Sequence, residues 1–147
     1  MPQRPEAMSA ERQVRAAMEN WAAAIRNQDV PAVMAHYGND IVIFDLLPPL
    51  RYRGRDALKA RVTEWLGSFS GPIEFEMRDL TIVAGNDVAY GSSLNRVAGS
   101  TSAGKVDMWW RATTCFRKTG AEWLITHGHA SEPFEMQTGK ALIDLRP

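Results

Sequence analysis

Apolar residues three and four positions apart dominate the first part of the chain. Val14, Met18, Trp21 and Ile25 form one stripe, which predicts a helix over residues 9–27 with Ser9 as its N-cap and Glu11 in the first turn. Asp29 can cap a second short helix with Pro31 in its first turn; Val33, Met34 and Tyr37 form its buried face and Gly38 ends it. Residues 41–45 read as a short strand covered on both faces, with Ile41 and Ile43 on one side and Val42 and Phe44 on the other. LLPPLRYRG follows as an irregular loop, because Pro48 and Pro49 cannot join a sheet ladder. Leu58, Val62, Trp65, Leu66 and Phe69 then predict a third helix over 56–69, closed by Gly71-Pro72.

The period changes from Ile73 onward. Ile73, Phe75 and Met77 alternate with Glu74, Glu76 and Arg78, and the phase shifts before Leu80 and Ile82, which predicts a β-bulge near Arg78-Asp79. Turns at 85–87, 99–104 and 118–121 separate three further strands, at 88–98, 105–118 and 122–131. Helices first, then long hairpin-linked strands: the expected class is α+β, three helices packed in a strongly curved, mostly antiparallel sheet that forms a cone-shaped barrel with an internal pocket.

The strand at 105–118 has two apolar faces. Met108, Trp110, Ala112, Thr114 and Phe116 share one, which the helices cover; Asp107, Trp109, Arg111, Thr113 and Cys115 share the other. Water rarely faces Trp and Cys, so a second copy is expected on the convex side, giving a homodimer through Trp109, Arg111, Thr113 and Cys115.

Composition narrows the function classes. Seventeen Lys+Arg balance seventeen Asp+Glu across 147 residues, which argues against a nucleic-acid binder. The single cysteine, Cys115, excludes an internal disulfide framework and a Cys-rich zinc site. No apolar run approaches the ~20 residues of a membrane span, and the first eight residues read as a flexible leader without a signal sequence. The expectation is a cytoplasmic domain over 9–134 with a C-terminal tail at 135–147. Phosphate-loop, dinucleotide, zincin and nucleophile-elbow motifs are all missing.

Chemistry centres on Asp45 and on THGHASE. Asp45 closes a strand between Phe44 and Leu46-Leu47, where desolvation would raise its basicity; alternatively it pairs with Arg51, Arg53 or Arg55 and anchors the loop. His127 and His129 stand two apart on a strand and share the side of Trp123 and Ile125, so they are expected to point into the pocket as acid or base. The same spacing permits a metal, with Asp45 as third ligand. His36 is expected to gain from a helix C-terminus.

AVMAHYGNDIVIFD, the helix GRDALKARVTEWLGSF and the hairpin WWRATTCFRKTGAEWLITHGHASEPF resemble the nuclear transport factor 2-like superfamily, within it the SnoaL-like, ketosteroid isomerase-like proteins. The resemblance spans residues 9–134. It implies a conical pocket, commonly in a dimer, and puts Asp45 at the general-base position. The oxyanion tyrosine of those isomerases falls on Trp21, which keeps one N–H donor, and their oxyanion aspartate falls on Ala112, which has none.

Three readings follow. The first is a cofactor-free acid–base enzyme of isomerase, cyclase or dehydratase type, acting on a small apolar carbonyl compound. Asp45, His129 and His127 would be catalytic, and Trp21, Tyr37, Trp65, Met108, Trp110 and Ala112 would hold substrate. The second is a non-catalytic dimeric ligand-binding or assembly module, and the third a His-based metal protein.

Overall fold

A computed structural model describes residues 8–147; the expected leader lies almost wholly outside them. Ser9 caps α1 (Ala10–Arg26) by accepting from the Arg12 N–H at 3.3 Å, and Asp29 caps α2 (Val30–Met34) by accepting from Ala32 at 3.1 Å. The chain continues through β1 (Tyr37–Phe44), β2 (Tyr52–Arg53), α3 (Arg55–Gly67), β3 (Glu74–Ala84), β4 (Val88–Thr101), β5 (Gly104–Thr119) and β6 (Glu122–Ser131). Tyr37 therefore opens a strand rather than completing a helix face, because α2 stops at Met34. The loop expected to be irregular contains β2, whose Arg53 and Tyr52 pair with Val42 and Ile43.

The strands form one six-stranded sheet in the order β2-β1-β6-β5-β4-β3, which does not close into a ring. It is antiparallel except where β1 runs parallel to β6. Register between β3 and β4 shifts from Arg78 to Thr81, with Asp79 at φ 55°, so the expected bulge is present. The helices pack on the concave side, and the core there includes the fully buried Val14, Met18, Ile25, Val33, Ile41 and Phe116. Close seating explains two glycines. A β-carbon on Gly91 would stand 2.8 Å from Met18 Sδ, and one on Gly99 would stand 2.7 Å from the Phe69 ring.

A second register shift matters more for the site. Phe116 pairs with Ile125, but its neighbour Cys115 pairs with His127, leaving Thr126 as an extra residue in β6. Residues opposed across an antiparallel pair share a face. Phe116 and Ile125 are both 2% exposed and face inward, whereas His127 joins Cys115, and His129 joins Thr113, on the outer face. The expectation that both histidines share the side of Trp123 and Ile125 is thereby corrected: one bulged residue reverses the alternation between Ile125 and His127.

Beyond Ser131, the tail folds back on itself through Phe134 opposite Ala141 and a bond from the Leu142 N–H to the Pro133 carbonyl. The pairing of β6 with β5 ends at Arg111, and Arg146 donates to the carbonyl of Asp107 further along β5, at 3.1 Å. The tail thus returns to its own sheet.

Candidate functional site

Asp45 follows Phe44 at the end of β1 and turns inward, as the alternation Ile41, Ile43, Asp45 requires. Its Oδ2 accepts from Arg61 Nε at 2.7 Å, and its Oδ1 accepts from the Leu46 N–H at 2.7 Å. The pairing expected from RYRGR is corrected here, since Arg55 instead donates to the carbonyls of Met34 and Tyr37. Arg61 escaped the sequence reading, although it lies three residues after Leu58 and four before Trp65, on the flank of their stripe. A carboxylate offers about four lone-pair positions, so two bonds orient Asp45 without exhausting it as an acceptor.

Trp21 Nε1 donates to the Tyr37 hydroxyl at 2.9 Å. Burial pushes the Tyr37 phenol up to about 12; the Trp21 bond opposes that shift and the nearby negative charge of Asp45 adds to it. Tyr37 is therefore a neutral hydroxyl near neutral pH. Its oxygen accepts from the indole, and among the described residues its proton has no hydrogen-bond acceptor.

The rest of the expected substrate wall gathers around Phe75. Trp21 meets that ring edge-on at 5.4 Å, Trp65 at 6.5 Å, and Trp110 lies tilted at 6.0 Å. Met108 shares their face through the register Phe75–Val97–Met108, and Ala112 follows two places after Trp110 on β5. Trp21, Trp65, Met108, Trp110 and Ala112 all remain partly exposed. A wide-mouthed hollow of about 920 Å³ opens where β1 ends, lined by Phe44, Asp45, residues 46–51 and His129.

The structure does not assemble Asp45 with the histidines. Both Asp45 and His129 border the hollow, yet the carboxylate turns inward to Arg61 while the imidazoles stand on the outer face. Among the described residues no hydrogen bond joins Asp45 to either ring, and no three His, Cys, Asp or Glu side chains converge on a metal position. The three-ligand metal set is thereby corrected; of the expected catalytic residues, Asp45 and His129 share one hollow without a mutual hydrogen bond, and His127 stands beside Cys115 on the outer face. His36 is corrected as well, for burial pulls its imidazole below the ordinary histidine value.

On the convex face Trp109 is already 8% exposed within one chain, with the Arg78 guanidinium 4.5 Å above its ring. Arg111 donates to Ser131 at 3.1 Å. Val83, Val88 and Tyr90 stay 46–52% exposed on that face, Tyr90 directly opposite Cys115. No helix among the described residues is long and apolar enough to cross a membrane.

The SnoaL-like domain sequence model matches residues 14–135. An NTF2-like protein of unknown function from Pseudomonas putida KT2440 superimposes with a TM-score of 0.86 at 38% identity, covering 96% of this chain and 100% of its own. A candidate dehydratase of the NTF2-like family from Streptomyces avermitilis gives 0.76 at 17% identity, over 85% and 96% of the two chains. A ketosteroid isomerase-like protein from Erwinia carotovora atroseptica SCRI1043 gives 0.72 at 19% identity, over 85% and 97%. No curated protein matches the sequence significantly.

Proposed function

Since the chain belongs to the SnoaL-like domain family of NTF2-like proteins, we propose that it catalyses proton transfer next to the carbonyl of a small apolar compound. Two observations support this reading: the Asp45 carboxylate is oriented by Arg61 at the edge of the hollow, and the neutral Tyr37 hydroxyl is anchored by Trp21 and feels the Asp45 charge. A carbon acid needs a base for its proton and a donor for the charge that moves to oxygen. In the proposed step Asp45 accepts the α-proton, the electron pair of the C–H bond passes into the carbonyl, and Tyr37 donates a hydrogen bond to the resulting enolate oxygen. Return of the proton to carbon completes an isomerisation or exchange. Arg61 holds the carboxylate in position, and in this reading the ligand's apolar body extends from the hollow toward Trp21, Trp65, Trp110, Met108 and Ala112, none of which lines the hollow itself. Phe44 and residues 46–50 make the rim of the hollow apolar. His127 and His129 have no part in this step.

The test is α-hydrogen exchange in D2O across a panel of small cyclic and acyclic ketones, followed by proton NMR. Exchange faster than buffer alone is expected for at least one apolar ketone. Saturable binding without any exchange would overturn the catalytic reading in favour of a ligand-binding module.

We also propose that a second copy covers the convex sheet around Thr113 and Cys115, next to the exposed Val83, Val88 and Tyr90. Trp109 is dropped from that contact because its own chain already covers it. Light scattering is expected to report twice the 16.4 kDa chain mass, and Tyr90→Glu, which puts a charge in the patch, is expected to halve it.

A further inference from the structure

We propose that His127 and His129 form a two-point chelate, on the outer face of β6, for a borderline divalent transition-metal ion such as Zn²⁺ or Ni²⁺. This inference is independent of the Asp45 chemistry. Two apart on β6, His127 and His129 share one side of the strand, the Thr126 bulge makes that the outer side, and their ring centroids lie 6.5 Å apart. At ordinary Zn–N distances an ion lies roughly 3.2 Å from each ring centroid, so two rings on one ion span about 5–6.4 Å. A small rotation of His129, which is exposed, brings the pair into that range.

Protonation favours the same outcome. His127 Nδ1 lies 2.7 Å from the carbonyl oxygen of Val42. A carbonyl only accepts, so Nδ1 carries the hydrogen and Nε2 keeps its lone pair in the neutral ring. Metal-bound histidines commonly use this arrangement, with the second nitrogen held by a backbone carbonyl. Phe44 meets His127 at 4.8 Å and His129 at 5.4 Å, edge-on to both, and offers no competing ligand. Cys115 is the register partner of His127 on this face, but burial pushes its thiol up, away from the thiolate a metal would bind. The chelate therefore has two protein donors from one chain, and because Thr113 and Cys115 on this face belong to the proposed contact between copies, its remaining positions fall to the second copy or to water held there. Imidazole donors suit zinc, nickel and copper over magnesium or calcium.

Untagged protein titrated with Zn²⁺, and separately with Ni²⁺, by calorimetry tests this proposal. One saturable site per chain, or one per two chains where copies share the ion, is expected. His129→Ala should weaken it at least tenfold, and so should His127→Ala, whereas His36→Ala should not. His129 is exposed, so its removal leaves folding intact and keeps the test decisive even where His127→Ala unfolds. Absence of saturable binding, a change below tenfold in His129→Ala, or an equal loss in His36→Ala would overturn the proposal.

Discussion

Asp45→Asn should lower the α-proton exchange rate by about 10²–10⁴-fold, the usual contribution of a positioned general base. The amide keeps the size of the carboxylate and can still accept from the Leu46 N–H through its oxygen. It loses the charge that binds the proton, and its –NH2 cannot accept from Arg61 Nε as Oδ2 does. The Asp45 and Arg61 side chains are 20% and 15% exposed, so the pair is only partly screened by water, and its loss should also lower stability by about 1–3 kcal/mol. A rate measurement at equal folded fraction separates the two effects. Tyr37→Phe, which removes the donor and leaves the base, should cost about 10²–10³-fold through the developing oxyanion. Should both variants exchange ketone hydrogens at the wild-type rate, neither residue performs the chemistry.

Phe116→Ala should lower the unfolding free energy by about 3–5 kcal/mol. That is a large share of the ~5–15 kcal/mol that holds an ordinary domain together. Phe116 is among the largest fully buried side chains and is 2% exposed. It projects inward from β5 opposite Ile125, at the last regular pair before the Thr126 bulge. Strands paired on both sides of β5 limit how far the backbone can close the resulting cavity, so the upper part of that range applies. Urea unfolding should show a lower midpoint with an unchanged slope. Phe134→Ala removes the same ring from a site that is 56% exposed and should shift stability by less than about 0.5 kcal/mol.

The two bulges show how unevenly the sequence discloses geometry. Around Arg78-Asp79 the apolar positions change phase between Met77 and Leu80, so the break is written in the residues themselves. Around Thr126 no such mark exists. Trp123, Ile125, His127 and His129 continue one alternation, and imidazole suits either face of a sheet. Asp45 is legible as a carboxylate in apolar company because Phe44 and Leu46-Leu47 flank it along the chain. Its partner is not, because three nearer arginines precede Arg61 along the chain. Tyr37 was placed in the core for the right reason, apolar company, but on the wrong element.

The α+β class, the helix caps and the common face of Met108, Trp110 and Phe116 are determined by the sequence alone, since each follows from periodicity or capping chemistry within one segment. Tertiary structure alone decides the pairing of Arg61 with Asp45, the contact of Trp21 with Tyr37 and the outward turn of His127 and His129. The reason is that register and ion pairing belong to two segments at once: a strand's alternation says which residues share a side, and only its neighbour says which side that is.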